Sequence, residues 1–376
     1  MRKFLCSLFA VPLIVVAAAP ASAAHESTDT SDLRSACQAD LAALPPFLET
    51  NDAGVQTSVQ SSGHPLDLKH FEKYMREASS VQTDEQCDQL LREYLSSIRR
   101  GHLLLQPMTE GTSKNSTDPD RSSDVRVFAL DRRIAVLKIR SFDQGVESTV
   151  GSMLARYRSL LKSHRSWLID VRGNSGGSDS VWQVLMPHLG IKSTTSFGVE
   201  FLATPDNVEA NKRLLDATSP GSKTSGFLQA TVDRMQSAAP STYIRLDERL
   251  GKAGTFTVTY DSDTFEPKEV VVLTDTGCAS SCEEFLLAVR QSWRVKLFGQ
   301  SSAGSLDYSN LRPHGLPSER RGIWYATSRS LRLPAFPVDG RGIAPDIAYP
   351  RPLTKEDEEQ ELKAAADFIR SGDVRH

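Results

Sequence analysis

The sequence lacks an excess charge of either sign. It has 376 residues, of which 44 are Lys or Arg and 47 are Asp or Glu, so the net charge is −3 with neutral histidines. A chain with this balance has no general electrostatic attraction for nucleic acid. Hydrophobic residues make up 39% and charged residues 24% of the chain. This ordinary globular composition excludes a disordered, collagen-like or polytopic membrane protein.

Long hydrophobic runs are scarce, and the longest lies at the start of the chain. Arg2 and Lys3 precede an apolar run over residues 4–19, and the small residues 21–23 follow it. The run is shorter than the roughly 20 residues that span a bilayer and ends in a cleavage pattern. We therefore expect residues 1–23 to be a cleaved signal peptide of a secreted, periplasmic protein without a stable membrane span. The alternative is an uncleaved anchor.

Cysteine is also scarce, with five in the chain, and the first of them lies inside the expected signal peptide. An even number of cysteines in an exported protein indicates disulfides. Their positions favour local pairs, Cys37 with Cys87 and Cys278 with Cys282. The alternative is four buried free thiols. No histidine accompanies the local cysteines, so we expect no metal site.

The chain divides into four regions after the signal peptide. Residues 24–107 have helical patterns, including a capping box that begins at Thr83, and we expect breaks at Pro45-Pro46 and near residues 61–63. This helical cap is followed by a polar linker, an α/β core and a C-terminal helix with a short tail. The expected bounds of these three regions are 108–124, 125–350 and 351–376.

Inside the core, apolar strands alternate with helical patterns. A predicted hairpin over residues 125–139 precedes a helix, an apolar strand at 167–171 and further strands at 269–273 and 295–298. Strands that alternate with helices predict a parallel sheet with crossover helices. Residues 190–268 are polar and only loosely periodic. We expect them to form a lid or a separate small lobe, and the pattern does not choose between the two.

Two turns that follow apolar strands are candidates for chemistry. Ser280 lies at a strand-to-helix turn, which exposes a hydroxyl and presents unpaired helix amides to a developing oxyanion. The alternative is an ordinary N-cap serine. Residues 170–177 form the second turn, whose glycines let the backbone approach a ligand closely. Its alternative is a structural loop with an ion pair between Asp170 and Arg172.

Four segments, in order, resemble the motifs of the S41 family of serine peptidases, the C-terminal processing and tricorn-core group. Residues 170–177 resemble its Asp-x-Arg-x-Asn-x-Gly-Gly pattern, and residues 272–283 resemble its nucleophile segment. Residues 299–304 are similar to the turn that follows the nucleophile segment in the family. Residues 342–346 resemble the family's closing Gly-Val-x-Pro-Asp motif. The resemblance implies an α/β, ClpP/crotonase-like tricorn-core peptidase domain behind the N-terminal helical cap. It also implies that Ser280 is the nucleophile.

The resemblance further implies which base assists Ser280. The processing branch uses a Lys 25 residues after the Ser, but Ser305 occupies that position here. Lys296, the only Lys between Ser280 and Lys355, lies in a strand pattern. The tricorn branch instead carries its base in a short Gly-His motif, which Gly101-His102 matches. We therefore expect His102 to be the general base, with His314 as the reserve candidate.

The third member and the oxyanion hole follow from the same resemblance. The resembling branch carries an acid three residues before the glycine of the closing motif. Asp339 occupies that position here and would orient the base. Glu283 is the competing acid, although its place at a helix N-terminus gives it a structural reason to be there. The backbone N–H groups of Ser281 and of Gly176 or Gly177 would bind the oxyanion.

These expectations describe an exported serine endopeptidase that acts on polypeptide substrates without a metal or cofactor. Many relatives carry a PDZ domain where this chain has only residues 108–127, which are too few to form one. The cap or residues 190–268 would then select the substrate. Two alternatives stay open, a non-catalytic binding module on the same fold and an esterase or amidase for small substrates. The oligomeric state does not follow from the sequence.

Overall fold

A computed structural model of the chain describes residues 30–107, 125–143, 145–246, 250–251, 254–261 and 266–372. The expected signal peptide and the linker at 108–124 lie outside these ranges. Within them, none of the helices has the length and apolar character needed to cross a membrane.

Four helices form the N-terminal cap around a core of its own. They are α1 (Thr30–Asn51), α2 (Ala53–Ser62), α3 (Leu68–Ala78) and α4 (Asp84–Ile98). Thr83 caps α4 by accepting a hydrogen bond from Gln86 N, and Gly63 ends α2 in a left-handed conformation. The start of α4 and the end of α2 therefore lie where the capping box and the expected break near residues 61–63 placed them.

The expected break at Pro45-Pro46 was wrong, because both prolines lie inside the continuous helix α1. Proline removes N–H groups from the helix ladder and usually breaks it. Here Leu41, Leu44 and Leu48 on the same helix are fully buried in the cap core. Burial of this apolar face offsets the lost hydrogen bonds.

A six-stranded sheet forms the centre of the core, in the order β13-β10-β9-β4-β3-β2. The strands are β2 (Val125–Ala129), β3 (Ile134–Ile139), β4 (Ser166–Asp170), β9 (Glu269–Thr274), β10 (Val295–Gly299) and β13 (Ile347–Ala348). All neighbouring pairs are parallel except the β2-β3 hairpin. The expected hairpin and parallel sheet are present.

Helices cover both faces of this sheet, which explains why its central strands are continuously apolar. The helices α5 (Val146–Arg156), α6 (Arg158–Ser163), α7 (Asp179–Gln183) and α10 (Ser281–Val289) contribute to the core on one face. The C-terminal helix α11 (Lys355–Ser371) packs Ala365, Ala366 and Ile369 on the other.

A second, antiparallel sheet joins the cap to this core. It has the order β1-β12-β6-β7, with β11 also paired to β12. The strands are β1 (Leu104–Pro107), β6 (Val199–Ala203), β7 (Thr242–Arg245), β11 (Tyr308–Gly315) and β12 (Arg321–Ser330). The expected helical cap therefore ends at Ile98, and its last residues belong to this sheet as β1.

Residues 190–268 do not form a separate lobe, so that expectation was wrong, whereas the expectation of a lid stays a prediction. Strands β6 and β7 from this region pair within the second sheet. The helices α8 (Pro205–Asp216) and α9 (Lys223–Ser237) connect β6 to β7, and β5 (Ser193–Phe197) pairs with β8 (Thr255–Thr259) as a separate ribbon. Pairing with β12, more than a hundred residues away, is not visible in a local pattern.

Both expected disulfides are present. Cys37–Cys87 joins α1 to α4 across 50 residues, and Cys278–Cys282 closes a turn of four. In the chain-entropy description, a cross-link stabilises the fold more when it closes a longer loop. The cap disulfide is therefore the one that matters for global stability.

We expect the double substitution Cys37→Ala/Cys87→Ala to lower the free energy of unfolding by roughly 4 kcal/mol, the loop-entropy value for a cross-link across 50 residues. Chemical denaturation of the purified protein measures this change. Cys278→Ala/Cys282→Ala is the matched control and should cost less. An equal or larger loss in the control would contradict this account.

Candidate active site

Ser280 lies in a strained backbone conformation between β9 and α10. Its φ is 56° and its ψ is −122°, a combination that costs about 1–3 kcal/mol for a residue with a side chain. Two hydrogen bonds hold it, because Ser280 N donates to Ser305 O (3.1 Å) and to Glu283 Oε2 (3.2 Å). The Cys278–Cys282 disulfide brackets the same turn. The surrounding structure thus fixes the serine that the sequence singled out.

The glycine loop after β4 packs directly against this turn. Ala279 N donates to Asn174 O at 3.1 Å. A Cβ atom at Gly176 would lie 2.6 Å from Ala279 O and 2.8 Å from Ser280 Cβ, and the φ of Gly176 is +98°. Only glycine fits such a close approach at this backbone angle. The carboxyl ends of β4 and β9 therefore bring the two candidate turns into contact.

The backbone N–H groups near Ser280 differ in their availability. Gly176 N already donates to Asn174 Oδ1 at 2.9 Å. Among the described residues, the N–H groups of Ser281 and Gly177 have no hydrogen-bond acceptor. Of the two glycines expected at the oxyanion hole, Gly177 is the available donor and Gly176 is the close-packing residue.

His102 is 7% exposed and lines the same cavity as Ser280. Its Nδ1 lies 2.5 Å from Tyr308 O. A carbonyl oxygen can only accept, so Nδ1 carries the proton and Nε2 is the basic nitrogen. Burial lowers the pKa of His102 below its ordinary value, and Arg99 adds to this effect. No hydrogen bond joins His102 to Ser280 in the described part of the chain.

Among the described residues, no hydrogen bond joins Asp339 to His102, and the expectation that Asp339 orients the base stays a prediction. Asp339 Oδ1 accepts from Leu306 N (2.6 Å) and Asp307 N (2.7 Å), and its Oδ2 is buried without a partner. Burial raises its pKa to about 6. The backbone that Asp339 holds leads directly into Tyr308, whose carbonyl accepts from His102 Nδ1.

Glu283, the competing acid, is fully buried with its acceptor positions occupied. Its oxygens accept from Ser302 Oγ (2.5 Å), Gly304 N (2.8 Å) and Ser305 N (2.8 Å), besides Ser280 N. It therefore organises the turn after β10 and the backbone of Ser280. A carboxylate with this many donors has no free oxygen for His102.

The alternative bases lie away from the cavity. His314 stacks on Phe47 with ring centroids 3.6 Å apart, in contact with the cap. Lys296 lies on β10 opposite Val271. Neither residue lines the cavity that contains Ser280.

Ser305, which occupies the position of the lysine in the processing branch, packs on the loop that carries His102. A Cβ atom at Gly101 would lie 2.7 Å from Ser305 Oγ, and the φ of Gly101 is +93°. The glycine of the Gly-His motif is therefore required by its contact with Ser305.

Sequence reasoning missed the residues that anchor the His102 loop. Asp52 is fully buried and accepts from Arg99 Nη2 (2.7 Å) and from Ala326 N on β12 (3.0 Å). Arg99 Nη2 also donates to His102 O at 3.0 Å. The sequence could have indicated Asp52 only as the residue that caps the start of α2. Its two long-range contacts leave no trace in local sequence.

A cavity of about 830 Å³ opens over Ser280 and His102. Most of its wall comes from the glycine loop, from α7 and from the residues between β5 and β8. Its apolar lining includes Phe197, Phe201 and Phe256. No group of three or more His, Cys, Asp or Glu among the described residues is arranged to hold a metal ion.

The family model described as Peptidase family S41 matches residues 133–349. The chain belongs to peptidase family S41. The match covers five of the six strands of the first sheet, both turns and most of the residues that line the cavity, but not His102. It makes the protein a serine-type peptidase. The comparison with curated proteins found no match.

Solved structures share the fold of this S41 peptidase at low sequence identity. A putative peptidase from Parabacteroides merdae has a TM-score of 0.53 and 14% identity, with 89% of this chain and 96% of that chain covered. Mature CPAF has a TM-score of 0.57 and 11% identity, with 89% and 97% covered. The expected ClpP/crotonase-like, tricorn-core fold class is confirmed, and the similarity extends over most of the described chain.

Gly176→Ala should slow the labelling of Ser280 by a fluorophosphonate about 100-fold, because the new Cβ displaces the strained turn by a fraction of an ångström or more. Gly145→Ala is the matched control, since Gly145 has the same φ of +98° with nothing within 4 Å of its Cβ position. It should retain the labelling rate. Equal losses in the two variants would show that backbone strain alone explains the effect.

Proposed function

We propose that this S41 peptidase is an exported serine endopeptidase with Ser280 as nucleophile and His102 as general base. The observation that carries the proposal is the hydrogen bond from His102 Nδ1–H to Tyr308 O in the cavity that Ser280 lines. This bond leaves Nε2 as the free basic nitrogen. The two disulfides support an oxidising, extracytoplasmic location, for which we propose the periplasm.

In the acylation step, Ser280 Oγ attacks the carbonyl carbon of the substrate while its proton passes to His102 Nε2. The carbonyl oxygen gains negative charge and is stabilised by the N–H groups of Ser281 and Gly177. His102 then gives its proton to the leaving amine as the C–N bond breaks. The products of this step are the free amine and an ester on Ser280.

In the deacylation step, water takes the place of the amine. His102 Nε2 accepts one proton from the water, whose oxygen attacks the ester carbonyl. The ester bond breaks, the proton returns to Ser280 Oγ, and a carboxylic acid leaves. The lowered pKa of His102 keeps Nε2 unprotonated, and therefore able to accept a proton, at neutral pH.

We propose Asp339 as a positioning residue rather than a direct partner of the base. It accepts from the amides of Leu306 and Asp307, and Asp307 Oδ2 accepts in return from Asp339 N at 2.8 Å. These reciprocal bonds fix the chain just before Tyr308. The Tyr308 carbonyl is thereby held where it can orient His102.

Ser280→Ala should abolish fluorophosphonate labelling, and His102→Ala should lower kcat/KM for peptide cleavage by roughly 10²–10⁴-fold, the usual contribution of a general base. Lys296→Ala should leave the activity nearly unchanged. His64→Ala, at an exposed position of the cap, is the control for loss of a histidine. Loss of activity in Lys296→Ala with retention in His102→Ala would refute the assignment.

The same assay separates the alternative functions. A folded protein whose Ser280 is not labelled would be a binding module. Turnover of p-nitrophenyl esters without cleavage of any peptide in a library would indicate an esterase. We expect labelling and peptide cleavage together.

Asp339→Ala should lower kcat about 100-fold through misplacement of His102, with little change in KM. Asp339→Asn should retain much more activity, because an amide oxygen also accepts two N–H groups. Steady-state kinetics of the two variants measures this difference. If Asp339→Asn were as inactive as Asp339→Ala, a direct role of the carboxylate charge would replace the positioning role.

A further inference from the structure

Asp179 is an acid on the cavity wall that the proposed mechanism does not use. Its Oδ1 accepts from Ser281 Oγ at 2.6 Å and from Trp182 Nε1 at 3.1 Å. These two donors fix the carboxylate next to the residue that follows the nucleophile. Within the described part of the chain its Oδ2 has no hydrogen-bond partner.

The charge of Asp179 is not compensated by the protein. No Lys or Arg is found among the described residues that line the cavity. Asp179 also forms no ion pair with any other described residue. The other acid on this wall, Glu284, pairs with Arg332 Nη2 at 2.7 Å, and Arg332 also binds Asp307 Oδ1 at 3.2 Å. Glu284 is therefore neutralised, whereas Asp179 is available.

Asp179 is exposed to the cavity and enclosed on its other sides by protein. Solvent reaches it through the cavity, but the surrounding protein displaces much of its water, and this loss of hydration raises its pKa. Its charge also contributes to the raised pKa of Glu284, which burial mainly causes, and to that of Tyr260 after β8. A cation supplied by a ligand in the cavity could therefore pair with this carboxylate and enclose it further.

The rest of the cavity suits the stem of a long basic side chain. Phe197 and Phe256 come from the β5-β8 ribbon, and Val258 lies on the same strand as Phe256. Lys and Arg bury their methylene groups against apolar surfaces while the charged end finds a polar partner. An apolar wall with one fixed carboxylate provides both parts.

We propose that Asp179 forms a specificity site for a Lys or Arg side chain of the substrate, at the residue that supplies the scissile carbonyl. This inference rests on the proposed attack by Ser280. The carbonyl oxygen of that substrate residue would bind Ser281 N–H, and Ser281 Oγ is the donor that holds Asp179. The side chain of the same residue therefore begins beside the carboxylate.

The test compares quenched-fluorescent peptides that differ only at this residue, which is Lys, norleucine or Glu. Norleucine has the apolar stem of Lys without the charge. We expect wild-type kcat/KM to be roughly 30-fold or more higher for Lys than for norleucine, as for a desolvated charge pair, and lowest for Glu. Asp179→Asn, whose amide oxygen can still accept from Ser281 and Trp182, should remove most of this ratio.

Asp233→Asn on the exposed face of α9 is the matched control and should keep the wild-type ratio. A wild-type protein that cleaves the norleucine peptide as well as the Lys peptide would overturn the specificity site while leaving the peptidase proposal intact. This wild-type comparison decides the question even if Asp179→Asn fails to fold. Failure to cleave any peptide, with Ser280 unlabelled, would instead overturn the proposed function.

Discussion

The buried carboxylate of Asp52 connects the helical cap to the second sheet, and the placement of His102 depends on it. Asp52 caps α2, pairs with Arg99 and accepts from Ala326 N on β12. Arg99 in turn donates to the backbone of His102. Removing one partner from such a buried network leaves an uncompensated charge, which is strongly destabilising. His102, on the loop between the cap and β1, is thereby held at the cavity that Ser280 also lines.

The turn that carries Ser280 is held by a different set of contacts within the core. Ser280 has a strained backbone, and the structure maintains this strain through Glu283, the local disulfide and the close packing of Gly176. Rigid support of this kind keeps a reactive group in one geometry without a cost at the moment of reaction. The loop of His102 and the turn of Ser280 are thus held by largely different contacts, and Ser305 touches both.

Sequence reasoning predicted the parts of this arrangement that are local. The turns at Ser280 and Gly176, the hairpin, the parallel strands and both cysteine pairs follow from spacing and periodicity, and His102 from a family resemblance. The second sheet, which residues 190–268 complete, depends on long-range pairing with β12. The partner of His102 is a backbone carbonyl, at Tyr308, which has no signature in residue type. Asp339 accepts hydrogen bonds from the two amides just before Tyr308, a link that local sequence does not show.

In the proposed mechanism, His102 is the base for Ser280, with its proton held on Nδ1 by Tyr308. Because burial lowers the pKa of His102, the neutral form should persist below the ordinary range of histidine. The most direct test is the rate of fluorophosphonate labelling of Ser280 as a function of pH. We expect the rate to fall as the pH drops through one ionisation below 6.5, the ordinary histidine value, and to lose this dependence in His102→Ala. An ionisation above 6.5, or an unchanged profile in His102→Ala, would contradict the account.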